Sequence, residues 1–151
     1  MNNNQIAPPK LLLGFDFGTR HIGVAIGQTV TQCARPLKTI KAINGLPARE
    51  TIALLIKQWQ PDALVVGIPL NMRGEELSVT SQARHFSLWL HEQFHLPVYE
   101  VDERLTTKDA REKLFLSGGY KALQDGQVDS VAAQLILQNW LENIKGGKNT
   151  C

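Results

Sequence analysis

The sequence predicts a three-layer α/β/α sandwich around a mixed five-stranded sheet whose first three strands are antiparallel. Three observations carry this expectation. The chain opens with two apolar runs, "LLLGFDFG" and "HIGVAIG", joined at Gly18, Thr19 and Arg20 with the spacing and turn chemistry of a tight hairpin. A third β-rich run, "ARPLKTI", follows. After it, short apolar strands alternate with segments of helical period, a pattern that gives parallel strands covered by helices on both faces.

Each later element has its own reason. In "LPARETIALLIKQW" Ile52, Leu55, Ile56 and Trp59 recur at helical intervals, and Pro61 stops the helix. "DALVVGIP" is short and β-branched, hence a buried strand. "LSVTSQARHFSLWLHEQF" returns to the helical period through Ala83, Phe86, Leu90 and Phe94, and "LPVYEV" reads as another strand. Thr106, with Asp109 following at capping-box spacing, opens a short helix through Leu116. "SGGYKALQDGQ" reads as a loop and "VDSVAAQLILQNWLENI" as a closing amphipathic helix. The 151 residues suffice for one core, expected over 11–145, with 1–10 a disordered N-terminal tail and 146–151 a flexible C-terminal one.

Composition excludes some functions. Hydrophobic residues make up 43% of the chain, but no apolar run approaches the roughly 20 residues that span a bilayer, so no membrane partner is expected. The start, "MNNNQIAPPK", lacks the basic and apolar regions of a secretory signal, and a cytoplasmic location is expected. A net charge of +2 permits an anionic partner without demanding one. Cys33 and Cys151 are poorly placed for a structural disulfide and lack metal-site spacing. His91 and His95 have the spacing of a zinc pair on one helix, but no third ligand is apparent. Phe86, Trp89, Phe94 and Trp140 sit at core positions, leaving no evident stacking platform for single-stranded bases.

Chemistry is suggested by acids in apolar surroundings. Alternation along the first strand puts Leu11, Leu13, Phe15 and Phe17 on one face, and Leu12, Gly14 and Asp16 on the other. The second strand is equally asymmetric, with Ile22, Val24 and Ile26 against Gly23, Ala25 and Gly27. If the small-residue stripes share a face, Asp16 borders a shallow platform open to a bulky group; alternatively the glycines admit a helix and Asp16 caps the turn through Thr19. A carboxylate desolvated there needs a cation, a metal or hydrogen-bond donors. "YEVDERLTT" places Asp102 and Glu103 at the end of the last strand, pointing to opposite faces, so one of them looks toward Asp16. Asp129 stands at the start of the closing helix, in line with Ala132 and Ala133, which let that end lie close on the sheet. Three converging carboxylates repel unless a cation joins them, and hard oxygen donors suit Mg²⁺ or Mn²⁺, as one ion or two. Arg20, Asn71, Arg73 and Arg104 adjoin strand ends, where they could meet a phosphate backbone without reading bases.

In this order, "GFDFGTRHIGVAIG", "ARPLKTI", "VVGIPLNMRG", "VDERLTT" and "VDSVAAQLILQNWL" closely resemble the YqgF family, also called RuvX, over most of the chain. The resemblance implies the RNase H-like fold and a nuclease related to Holliday-junction resolvases, proposed in that family to mature the 5′ end of pre-16S rRNA in bacteria. It places the family's first-strand acid on Asp16, its DER acid on Glu103 in preference to Asp102, and its last-helix acid on Asp129, as catalytic and metal-binding residues. Where the family commonly has NMDG this chain has NMRG, so Arg73 replaces an acid and suits a phosphate contact. The stretch before the closing helix, "LQDGQ", is less basic than is usual in the family. The implied partners are pre-rRNA, branched DNA and ribosomal particles, with the protein acting as a monomer or a homodimer.

Three functions compete. The first is a metal-dependent nuclease acting on structured RNA or, as a resolvase-like endonuclease, on branched DNA. The second is a nucleotide-binding phosphotransferase, because "DFGT" also resembles the phosphate hairpin of the actin, Hsp70 and sugar-kinase superfamily. That superfamily clamps ATP between two domains, and 151 residues hold only one. The third is a noncatalytic factor bound to nucleic acid or the ribosome, against which all three acids count.

Overall fold

The computed structural model describes residues 9–103 and 128–144. The expected C-terminal tail, the N-terminal one up to residue 8, the helix from Thr106 through Leu116, the loop before the closing helix, and Arg104 lie outside them. The described elements are β1 (Leu11–Asp16), β2 (His21–Gln28), β3 (Cys33–Ile43), β4 (Leu46–Pro47), α1 (Arg49–Trp59), β5 (Ala63–Ile68), α2 (Ser78–Phe94), β6 (Val98–Asp102) and α3 (Val128–Asn143). The sheet order is β4-β3-β2-β1-β5-β6. The pairs β1–β2, β2–β3 and β3–β4 are antiparallel, whereas β1–β5 and β5–β6 are parallel.

The sheet therefore has six strands where five were expected. The additional one is the two-residue β4, which pairs Leu46 with Ile43 across Asn44 and Gly45. Both turn residues have positive φ, 52° and 84°, as a type I′ hairpin requires. Asn-Gly is the residue pair that tolerates that geometry, so the signal is present, but the strand beyond it is too short to show alternation.

Alternation divides the core as the sequence implies. One face of the sheet presents Leu13, Phe15, Ile22, Val24, Ile40, Leu64 and Val66 to Ile52 and Leu55 of α1 and Ala83, Phe86 and Leu90 of α2. The other presents Leu12, Ala25, Ala63, Val65 and Val101 to Ala133, Ile136, Leu137 and Leu141 of α3. These are the three layers. Helix α1 ends as Pro61 requires: Gln60 adopts the left-handed conformation and its N–H donates to the Ile56 carbonyl at 2.7 Å.

The small-residue platform is not an open surface. Cβ atoms placed on Gly14, Gly27 and Gly67 would come within 3.0 Å of Leu137, Leu141 and Ile136 respectively, because α3 lies directly on the glycine stripe. The glycines admit a helix, the alternative reading of the pattern. A second correction concerns Cys33, which is disulfide-bonded although its place in the sequence argued against a structural disulfide. The histidine pair also has other work: a ring nitrogen of His91 bonds the Leu96 carbonyl, and His95 takes the left-handed residue that ends α2.

Candidate active site

Because β1, β5 and β6 are parallel neighbours, their carboxyl ends finish side by side. Asp16, the last residue of β1, lies opposite Gly23 of β2 and Gly67 of β5, and Gly67 lies opposite Val101 of β6. Paired residues share a face. Val101 packs in the α3 layer, so alternation sends Glu103 to the side of Asp16 and Asp102 to the other. With no side chain on Gly67 to intervene, the two acids meet across β5, and the Asp16 carboxyl donates a hydrogen bond to Glu103. The Glu103 N–H donates to the Ile68 carbonyl at 3.0 Å, which holds the residue in register beyond the end of β6.

Asp129 reaches the same place from the helix layer. A Cβ on Gly23 would lie 1.8 Å from the Asp129 carbonyl oxygen, so the first turn of α3 rests on bare β2 backbone. Gly23 is the cross-strand partner of Asp16, and this seating brings the Asp129 charge into the field of Asp16. Position in the first turn also suits Asp129 to the positive end of the helix. Two glutamines fix the seating. Gln138 Oε1 accepts the Ala34 N–H at 2.8 Å, and Gln134 Nε2 donates to the Ala34 carbonyl at 3.0 Å, so α3 is bonded to β3 as a neighbouring strand would be. Sequence reasoning missed this pair, since glutamine on a helix ordinarily marks a solvent face.

The electrostatic consequence falls on Asp16. Burial, then the hydrogen bond with Glu103, then the charges of Glu103 and Asp129 push its carboxyl from the ordinary 3.8 up to about 9. The group therefore keeps its proton at neutral pH. As placed, no three His, Cys, Asp or Glu side chains among the described residues enclose an ion. The donor chemistry nonetheless fits a hard divalent cation: the Asp16 carboxyl meets that of Glu103 and lies in the field of Asp129, and a cation would offset the burial and the repulsion that now retain a proton.

The residues considered for phosphate contact divide. Arg73 is exposed in the loop after β5, beside the sheet end that carries the acids. Asn71 is turned inward: its Oδ1 accepts the N–H groups of Arg73 at 2.9 Å and Glu75 at 2.8 Å, and its Nδ2 donates to Glu75 Oε1 at 3.1 Å. It braces the loop that presents Arg73. Arg20 is exposed in the β1–β2 turn, with its carbonyl accepting the Ala42 N–H at 2.8 Å. The aromatic residues pack as expected: Phe86 lies against Phe15 and Trp89, and Trp140 against Tyr99.

The mixed sheet flanked by helices on both faces is similar in fold to the RuvC-like resolvases, which are RNase H-like. It is similar to Thermus thermophilus RuvC solved with a Holliday junction substrate, with TM-score 0.54 and 19% identity over 91% of this chain and 96% of that one. It is similar also to the Fowlpox virus resolvase solved with Holliday junction DNA, with TM-score 0.56 and 12% identity over 89% and 98% of the two chains. The chain belongs to the RuvX family, whose model, described as a Holliday junction resolvase, matches residues 10–143. Among its relatives, one from Shewanella oneidensis is 54% identical over 91% of this chain and 97% of its own. One from Aeromonas salmonicida is 56% identical over 91% and 98%. Both carry the name "Putative pre-16S rRNA nuclease".

Proposed function

We propose that this protein is a cytoplasmic nuclease that hydrolyses phosphodiester bonds at the 5′ end of pre-16S rRNA, using Mg²⁺ or Mn²⁺ held by Asp16, Glu103 and Asp129. The observation that carries this reading is the hydrogen bond between the carboxyl groups of Asp16 on the first strand and Glu103 after the last, in the field of Asp129 on the closing helix, with Asp16 so disfavoured as an anion that its proton is held up to about 9. The name shared by the close relatives supports the RNA substrate.

One or two ions, when bound, supply an activated water and neutralise charge on the leaving oxygen. The chain's own residues do the rest. Asp16 holds a proton on its carboxyl until the site is loaded, and Glu103 and Asp129 complete the donor set from the strand and helix sides. Arg73, on the loop braced by Asn71, binds and orients a phosphate, and Arg20 does so at the hairpin side. Arg104, next in sequence to Glu103, orients that acid or meets a phosphate. Nucleic acid is then the principal partner, together with the ribosomal particles that carry it.

The family description favours branched DNA as a second substrate. Both readings are tested by incubating purified protein with end-labelled structured RNA carrying a 16S 5′ precursor and with a four-way DNA junction, in Mn²⁺, Mg²⁺ or EDTA. The expected result is cutting of the RNA that needs metal and falls more than about 100-fold in Asp16→Asn, a change that removes the ionisable oxygen with little change in volume. Cutting of the junction alone would make the protein a DNA resolvase. No cutting of either, or full activity in Asp16→Asn, would overturn the catalytic reading in favour of a noncatalytic factor.

A further inference from the structure

Beyond the first turn of α3, no described element packs on the sheet face that carries the acids. The first turn of α3 rests on Gly23, and β2 extends two residues further toward the hairpin turn, to His21. His21 pairs with Lys41 of β3, and Gly23 pairs with Thr39. The facing of these residues is set by their neighbours: Ile22 and Ile40 are buried in the α1–α2 core, so His21 and Lys41 project on the opposite side, that of Asp16 and Asp129. Both are exposed. Arg20 is tied to the same spot, since its carbonyl accepts the N–H of Ala42, the residue after Lys41. The two ion pairs among the described residues are both made by Arg84, on α2, and neither involves Arg20, His21 or Lys41.

We infer that His21 and Lys41, with Arg20, form a phosphate-binding track that leads the substrate backbone across β2 and β3 into the acidic centre. The inference rests on the nuclease reading and names the path by which the nucleic acid enters. Lys41 stands two strand spacings across and two residues along the sheet from Asp16, roughly 12 Å away, close enough to hold a neighbouring phosphate and too far to touch the one being cut. Arg73 lies on the other side of Asp16, in the loop after β5, so the two cationic positions flank the acids and fix the strand on both sides of the scissile bond. A backbone held by point charges is read without regard to sequence.

Strand β3 supplies its own control. Lys38 has the same charge and is also exposed, but it pairs with Val24 and shares the face of Ile40, pointing away from the acids. The experiment measures binding of a fluorescein-labelled RNA hairpin and a labelled four-way DNA junction by fluorescence anisotropy between about 50 and 200 mM KCl. The host is Asp16→Asn, so that nothing is cut, and into it are placed Lys41→Ala, Lys41→Glu, His21→Ala and Lys38→Ala. Lys41→Ala should weaken binding roughly three- to tenfold and reduce the salt slope by about one, Lys41→Glu should weaken it further, and Lys38→Ala should match the host. Equal effects of Lys41→Ala and Lys38→Ala, or none from either, would overturn the track while leaving the nuclease reading intact. Failure of the host to bind either probe would instead overturn the nuclease reading on which the track depends. The substitutions lie on exposed side chains, and unchanged melting temperatures verify that each variant is folded.

Discussion

At the scale of single residues, the placement of Asp16 works against the fold. Its carboxyl is held up to about 9 against an ordinary 3.8, so between those values the folded chain binds a proton that the unfolded chain has lost. The sign follows from linkage: stability falls as pH rises through that window, and the loss is complete above about 9. Asparagine carries no such penalty. In EDTA, Asp16→Asn should therefore melt above the wild type at pH 8, and the difference should shrink to nothing near pH 4, where both side chains are neutral. Melting curves at intervals across that range check this; a difference that did not change with pH would mean that burial and the neighbouring acids do not act on Asp16. A residue that weakens the fold at the pH where the protein works is expected at a functional site rather than a structural one.

At the scale of elements, the decisive contact is α3 on β2. The Asp129 carbonyl occupies the space where any side chain at position 23 would begin: its oxygen stands 1.8 Å from where the Cβ would sit, and no rotamer change relieves an approach by backbone. Gly23→Ala should lower stability by about 3 kcal/mol, or roughly 6–12 °C in melting temperature for a chain of this size, and should displace Asp129 from Asp16. A variant that melted with the wild type would refute this seating. The same contact shows what was legible in the sequence. Alternation and glycine spacing located the small-residue face, and the strand–helix order located the layers, because both depend on local periodicity. Whether that face met a ligand or a helix depended on a segment more than a hundred residues away, and the glutamine bonds that hold it, Gln134 and Gln138 to Ala34, have no local pattern. The choice between Asp102 and Glu103 was likewise undecided by strand alternation, which says only that they differ; the β5–β6 register, through Gly67 and Val101, is what turns Glu103 toward Asp16. The Asn44–Gly45 turn has a local signature, but a two-residue strand after it has no period to read.

At the scale of the whole molecule, the proposed site would couple folding, protons and metal. The three acids come from the first strand, the last strand and the closing helix, so the centre exists only when the ends of the fold are assembled. An ion that binds only the assembled centre must then stabilise the entire chain, by about 2.7 kcal/mol at a concentration 100 times its dissociation constant. For a domain of about 150 residues that corresponds to a rise of roughly 5–11 °C in melting temperature. Because Asp16 holds a proton that the ion must displace, binding should release protons and tighten as pH rises toward about 9. The measurement is a series of melting curves with increasing Mn²⁺ at pH 6, 7 and 8, for the wild type and for Asp16→Asn. The wild type should gain stability with Mn²⁺, with the midpoint concentration falling at each step up in pH, and Asp16→Asn should gain little and show no dependence on pH. Equal gains in the two proteins would place the ion elsewhere. A wild-type gain that did not vary with pH would separate metal binding from the proton on Asp16, leaving the convergence of acids as a feature of the fold alone.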